Sequence, residues 1–468
     1  MKQKSLFLTL FLFGIFINVT AEIKLPAFFS SEMVLQQQTT AKIWGKAEPN
    51  KKVTLFTGWN LKTYKTTADN NGDWALSFTT TKAGGPYTMV ISDGKAVTLS
   101  NILLGEVWLC SGQSNMEMPV KGFQGQPTEG SNMDILRSAN SQIRLFTVKK
   151  DANVAPQTDV TGRWEEAMPI SVRDFSATGY YFGRLLQESL KVPVGLIASS
   201  WGGSSIEAWM TKEMLTDFPE AIIPKTKEDI KTPNQTPTVL YQAMIHPLVG
   251  MPIKGVIWYQ GESNRNRYKT YAPMFKSMTE GWRKAWNQKD TIPFYFCQIA
   301  PFGYKDGANS ALVREAQANA AKEPYTGMAV LMDVGEENCI HPAKKREAGE
   351  RLALLAINKT YRNTGITCES PVYKNIEIKD GEITVNFDGA PLGLFAKNGE
   401  SKLFMVAGED KVFYPAQARV NRNRVIVKCK DVTNPVAVRY AFENFVVGDL
   451  FSTEGLPVSS FRSDDWEN

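Results

Sequence analysis

The chain has 468 residues, 43% of them apolar and 22% charged, with a formal net charge of +5. That length exceeds what one hydrophobic core ordinarily serves, so two or three domains are expected, and the composition excludes a disordered or fibrous chain. No run of Lys and Arg interleaved with aromatics tracks a phosphate backbone, so nucleic acid is not an expected partner.

Lys2 and Lys4 precede an apolar run from Leu6 to Ile17, and Val19-Thr20-Ala21 follows with compact residues at the cleavage-type positions. This is the pattern of an export signal over residues 1–21. The run falls short of the roughly 20 residues that span a bilayer, and no later segment is apolar for long enough. The sequence therefore predicts a periplasmic or extracellular protein without stable membrane insertion. Five cysteines form no C-x-x-C pair, which leaves zinc-ribbon and thioredoxin-like readings without support. Export permits disulfides, but an odd number leaves at least one thiol unpaired within the chain.

Residues 22–100 read as a small β-domain: Val53-Thr54-Leu55 and Trp74-Ala75-Leu76 are short alternating runs, and Asn71-Gly72 and Asp93-Gly94 are turn signals. Over residues 101–365 the rhythm changes. Val107 to Cys110, Val194 to Ala198, Gly255 to Tyr259, Phe294 to Ile299 and Gly327 to Met332 read as buried strands. Between them Tyr181, Phe182, Leu185, Leu186 and Leu190 repeat at helical spacing, as do Met274, Phe275, Met278 and Trp282, and Ala348, Leu352 and Leu355. Such alternation predicts an α/β fold, a parallel sheet with helices on both faces. Residues 366–468 return to strands, with Ile376 and Ile378 facing Ile383, Val385 and Phe387 across Asp380-Gly381.

In such a sheet reactive groups lie at the C-terminal strand ends. The strand Val107 to Cys110 runs into Ser111-Gly112-Gln113-Ser114, a junction that exposes the Ser114 hydroxyl and frees its N–H for an oxyanion. A serine nucleophile needs a base that titrates near neutrality. The chain holds two histidines, His246 and His341. His246 is flanked by apolar residues and reads as structural, whereas His341 lies in a polar loop between a strand and a helix and suits the base. Single acids such as Asp151 and Asp388 have no spacing that suggests a metal site, and no metal or nucleotide cofactor is implied.

Four segments then stand out: Gly112-Gln113-Ser114-Asn115-Met116, Ser200-Trp201-Gly202-Gly203-Ser204-Ser205-Ile206-Glu207-Ala208-Trp209, Trp258-Tyr259-Gln260-Gly261-Glu262-Ser263-Asn264 and Ile340-His341-Pro342. In this order they resemble the successive blocks of the sialate O-acetylesterase family within the SGNH hydrolases. Gly455-Leu456-Pro457 and Phe461-Arg462 resemble its closing segment. The resemblance implies an SGNH-type, flavodoxin-like catalytic sheet with flanking small β-domains. It implies that Ser114 attacks an acetyl carbonyl and His341 takes its proton. The oxyanion donors would be the N–H of Ser114, the N–H of Gly203 or Gly202, and a side-chain amide, Gln260 before Asn264.

SGNH hydrolases commonly carry an Asp three residues before the His, and Asn338 stands there. Glu336 matches a carboxylate position of similar sialate esterases; Asp333, Glu337 and a backbone carbonyl are the alternatives. Cys339 reads as packing or disulfide. Glu207, Trp209 and Asn264 are candidates for binding sugar hydroxyls and stacking on a ring face. The resulting expectation is a secreted serine esterase acting on an O-acetylated sugar, most simply O-acetylated sialic acid. Acetylated plant polysaccharide such as xylan, and an inactive carbohydrate-binding protein, are the alternatives.

Overall fold

Residues Ala96–Gly112 form one strand of 17 residues, β1, that belongs to two parts of the molecule. Its first half pairs antiparallel with Gly84–Ser92 across the Asp93-Gly94 turn and parallel with Val34–Gln36. From Glu106 onward the same strand lies at the centre of the main sheet. The chain therefore crosses the region near residue 100 inside a strand, with no linker. The computed structural model describes residues 23–307 and 309–466, so the expected export signal lies outside the described residues. Among them no helix is long and apolar enough to cross a membrane.

The other strands of the main sheet are β2 (Asn140–Thr147), β3 (Val194–Ser200), β4 (Gly255–Tyr259), β5 (Phe294–Cys297) and β6 (Thr326–Ala329). Their order is β6-β5-β4-β1-β3-β2, all parallel, with Trp164–Ala167 added antiparallel at the β2 edge. The strands β3, β4 and β5 are buried at every position, as they must be when both faces are covered. No apolar run marks β2 in the sequence, because Arg144 interrupts it, a buried guanidinium within 3.4 Å of Glu32 and 3.3 Å of Glu166.

Helices α1 (Ser114–Glu117), α2 (Ala177–Leu190), α3 (Tyr268–Trp286), α4 (Ser310–Ala320) and α5 (Lys345–Leu355) lie among these strands, with short helices at Ser131–Leu136 and Pro169–Val172. The period of two along β1 sorts its side chains. Trp108 and Cys110 pack with Tyr181, Phe182 and Leu186 of α2 and with Ala348 and Leu352 of α5. Val107 and Leu109 pack on the opposite face, in the core that includes Met274, Phe275, Met278 and Trp282 of α3. All five cysteines are free thiols.

The C-terminal region opens with the expected hairpin. Ile376 pairs with Val385 and Ile378 with Ile383, and Asp380 and Gly381 both take positive φ, 50° and 74°, the geometry of the tight hairpin turn. Its core takes in Val330 and Met332 from the segment after β6, and Gly448 N–H donates to Met332 O at 2.8 Å. This β-region thus supports the segment that leads to His341.

Candidate active site

Gly112, the last residue of β1, lies in register between Ser200 of β3 and Tyr259 of β4. Its φ is +134°, and a Cβ there would sit 2.2 Å from Tyr259 O, so only glycine lets the strands close on this point. Gln113 N–H donates to Tyr259 O at 2.9 Å, and Trp201 N–H donates to Gly112 O at 3.1 Å. Three of the four sequence blocks therefore meet at one place, the C-terminal edge of β1, β3 and β4. The chain then turns into α1, whose first residue is Ser114.

Ser114 is partly exposed. As the first residue of a helix its N–H has no intrahelical acceptor, and Gln113 supplies no side-chain cap. Among the described residues neither its N–H nor its hydroxyl has a hydrogen-bond partner. Gly202 comes close to it: a Cβ there would lie 3.3 Å from Ser114 Cβ. The Gly202 N–H is already engaged, donating to Glu117 Oε2 at 2.5 Å. Gly203 takes φ +71°, and its N–H has no partner among the described residues. Between the two glycines left open by the sequence, Gly203 is thus the one with a donor to spare.

The expected side-chain donors are placed differently. Gln260 is fully buried, and its Nε2 donates to Ser204 O at 3.1 Å and to Asn264 Oδ1 at 2.7 Å, which uses both of its N–H groups. Asn264 accepts from Ile206 N–H at 3.0 Å and donates to Glu207 Oε2 at 3.0 Å. These amides brace the Gly202–Glu207 loop from beneath. Trp209 has no exposed surface; its indole N–H donates to Ser204 Oγ at 2.9 Å and its ring meets Trp258 edge-on. The expectation that Trp209 stacks on a sugar is corrected by this burial. The partly exposed indole of the same block is Trp201, the residue before Gly202, with Lys150 Nζ 5.7 Å from its ring centre. Glu207 is buried, paired with Arg267 at 3.2 Å, and lines a cavity of about 220 Å³ with Gln235 and Arg267.

His341 is joined to this edge through the neighbour of Ser114: Asn115 Nδ2 donates to Ile340 O at 3.1 Å. The ring itself is held by the loop between α1 and residue 130. His341 Nδ1 lies 2.6 Å from Gln126 Oε1, and Phe123 meets the ring edge-on at 5.3 Å. None of the expected acids bonds the ring. Glu336 Oε1 accepts from Ala343 N–H at 2.6 Å, Asp333 makes a two-pronged pair with Arg351 at 2.7 Å, and Glu337 is exposed. Cys339 Sγ contacts His341 O at 3.1 Å. His246 Nδ1 faces Gln157 O at 3.0 Å and packs on Tyr241, far in role from the strand ends.

Two buried charges lie behind the site. Glu262 is 3% exposed; Asn115 Nδ2 donates to its Oε1 at 2.6 Å while Oε2 has no partner, and burial pushes its carboxyl up. Lys345 is 1% exposed, donates to Pro342 O, and is pushed down by burial to about 7. Burial, and then the Lys345 charge, lower His341 to about 4, which keeps the ring neutral and able to accept a proton at neutral pH. Glu117, Gln126 and Lys150 were given no role from sequence, since isolated polar residues on loops carry no periodic or spacing signal. Among the described residues no cluster of His, Cys, Asp and Glu could hold a metal.

The family model described as carbohydrate esterase, sialic acid-specific acetylesterase matches residues 104–358. The sialate O-acetylesterase of Homo sapiens is 30% identical, over 76% of this chain and 74% of that protein. The sialate O-acetylesterase of Mus musculus is 28% identical, over 80% and 82%. A carbohydrate acetylesterase from Xanthomonas citri has a crystal structure that superposes with a TM-score of 0.87 at 36% identity, covering 95% of this chain and 100% of that one. The chain is a carboxylic ester hydrolase, and it belongs to the sialic acid-specific acetylesterase family of carbohydrate esterases.

Proposed function

We propose that the protein is an exported SGNH-type serine esterase that removes O-acetyl groups from sugars, sialic acids first, through an acyl-enzyme on Ser114. Ser114 carries the reading: its partly exposed hydroxyl stands at the C-terminal end of the central strand, and among the described residues neither that hydroxyl, nor the N–H of Ser114, nor the N–H of Gly203 in the adjoining loop has a hydrogen-bond partner. Oγ attacks the acetyl carbonyl and His341 Nε2 takes its proton. The N–H groups of Ser114 and Gly203 receive the oxyanion, a type of interaction whose loss typically costs on the order of 100-fold in rate. The sugar leaves with the proton returned by His341, and a water activated by the same imidazole releases acetate. Export rests on the pattern of residues 1–21.

A second substrate reading, acetylated neutral polysaccharide, has its own support. Sialic acid carries a carboxylate that a free cation would recognise, yet Lys150, Arg265 and Arg267 are each held by an acid, Glu117, Asp306 and Glu207. Acetate release from O-acetylated sialic acid and from acetylated xylan, side by side, separates the two. Ser114→Ala serves as the blank. A preference for sialate supports the first reading, a preference for xylan the second, and an active Ser114→Ala enzyme overturns the mechanism.

A further inference from the structure

Among the described residues no carboxylate bonds the His341 ring. The position where SGNH hydrolases commonly place the acid holds Asn338, and the nearby acids Glu336 and Asp333 are engaged elsewhere. What meets the ring is a turn. Gln126 N–H donates to Phe123 O at 3.0 Å, and Gly125, the third residue of the turn, takes φ +72°, a left-handed conformation suited to glycine. A turn of this kind sets its first and fourth side chains next to each other. Here those are Phe123 and Gln126, and both touch His341, one by a ring edge and one by Oε1 at 2.6 Å. The turn is anchored on both sides. Val120 N–H donates to Phe175 O at 2.9 Å, and Glu129 N–H donates to Ala343 O at 2.9 Å, two residues past the histidine.

We propose that Gln126 is the positioning residue of this esterase, its Oε1 accepting from Nδ1–H of His341 in the place that a triad acid otherwise fills. An amide oxygen can only accept, so it fixes the tautomer in which Nδ1 carries the proton and Nε2 is bare and available to the nucleophile. Unlike a carboxylate, it brings no charge to stabilise the imidazolium. The burial of the ring and the Lys345 charge then act unopposed on His341. The titratable groups around this loop are Lys345 on α5, Glu262 after β4, and Glu336 and Cys339 on the histidine's own loop. The proposal rests on the reading of Ser114 and His341 as nucleophile and base.

The test uses the full chain and acetate release from p-nitrophenyl acetate, with Ser114→Ala and His341→Ala as blanks. Gln126→Ala is expected to lower kcat at least about tenfold with KM little changed, since an oriented base contributes about 10²–10⁴ in rate. Gln126→Glu is expected to keep activity and to move the acid limb of kcat/KM upward by about one to three pH units, the effect of an opposite charge at this distance. The two histidines of the chain also allow a readout independent of turnover. In a protein labelled with 15N-histidine, the wild-type His341 ring should show the Nδ1–H tautomer, and Gln126→Ala should lose that preference. The His246→Gln variant assigns the signals. If Ser114→Ala is dead while Gln126→Ala keeps wild-type kcat and Gln126→Glu keeps the wild-type pH profile, this proposal falls and the esterase reading stands. If Ser114→Ala is active, the reading beneath it falls. Should Gln126→Ala fail to fold, Gln126→Glu, of the same shape, decides the matter by its pH profile.

Discussion

Asn115 Nδ2 donates to Glu262 Oε1 at 2.6 Å, which ties the residue after the proposed nucleophile to a carboxylate fully inside the protein. The same Nδ2 donates to Ile340 O, so one amide group joins the first, third and fourth sequence blocks. Replacing Asn115 by Ala leaves that carboxylate without its hydrogen bond, a loss of about 1–3 kcal/mol or more for a charged group. Asn115→Ala is therefore expected to lower both stability in chemical denaturation and kcat. Glu262→Gln, which removes the buried charge and keeps an oxygen for Asn115 to donate to, should cost less stability. Equal stability of wild type and Asn115→Ala would show that the link is idle.

As the proposed base, His341 should set the acid limb of the pH profile. Because its pKa is lowered to about 4, kcat/KM should hold as pH falls below 6.5 and decline only as it nears about 4. Lys345→Met removes the charge that opposes the imidazolium, so the limb should move up toward the ordinary histidine value near 6.5. The sign for stability follows from linkage. Between about 6.5 and 4 the unfolded chain binds a proton that the folded chain refuses, so this contribution to stability is present above 6.5 and is lost as pH falls through 4. A wild-type limb at 6.5, or one that Lys345→Met leaves in place, would contradict this account.

Gly112→Ala should be among the most damaging single changes. The added methyl would meet Tyr259 O at 2.2 Å, and that oxygen belongs to the backbone of a strand at the centre of a buried sheet, which has little room to shift. Overpacking combined with a left-handed backbone places the expected loss at about 4 kcal/mol or more, the exceptional range for one substitution. Thermal unfolding of the purified variant, or its absence from the soluble fraction, measures it. A variant with wild-type melting would mean that β1 and β4 separate more easily than their register implies.

The central sheet was legible because Val194 to Ala198 of β3, and β4 and β5 throughout, are short runs without polar interruption, and the hairpin at Asp380-Gly381 because its turn chemistry is strict. Strand β2 was not, since Arg144 breaks its run, and the partners that hold a guanidinium there, Glu32, Glu166 and the Ser141 carbonyl, come together only in the fold. For the site, Ser114 and His341 stood out by position and by the scarcity of histidine. The roles of Gln260, Asn264 and Trp209 did not follow from their blocks. Whether a polar side chain faces the cleft or braces a loop from below depends on which N–H groups its neighbours claim, and that is fixed only when the strands are assembled. Gln126 lies 215 residues from His341, and nothing local in either segment announces their meeting.

Glu117 provides a last test, of the loop above Ser114. Its Oε2 accepts the Gly202 N–H at 2.5 Å and its Oε1 accepts from Lys150 Nζ at 2.6 Å, so the carboxylate pins the glycine next to the proposed oxyanion donor, Gly203. Glu117→Ala releases that tether, and kcat is expected to fall by about tenfold or more, short of the roughly hundredfold cost of losing a donor outright. Glu117→Gln keeps an oxygen for Gly202 and gives up only the pairing with Lys150, which is exposed. Such a pair is worth at most about 1 kcal/mol, so Glu117→Gln should stay within about fivefold of wild type. Steady-state kinetics of the two variants separate the tether from the charge: if Glu117→Gln falls as far as Glu117→Ala, the ion pair with Lys150 holds the loop, and if neither falls, Gly203 keeps its place without Glu117.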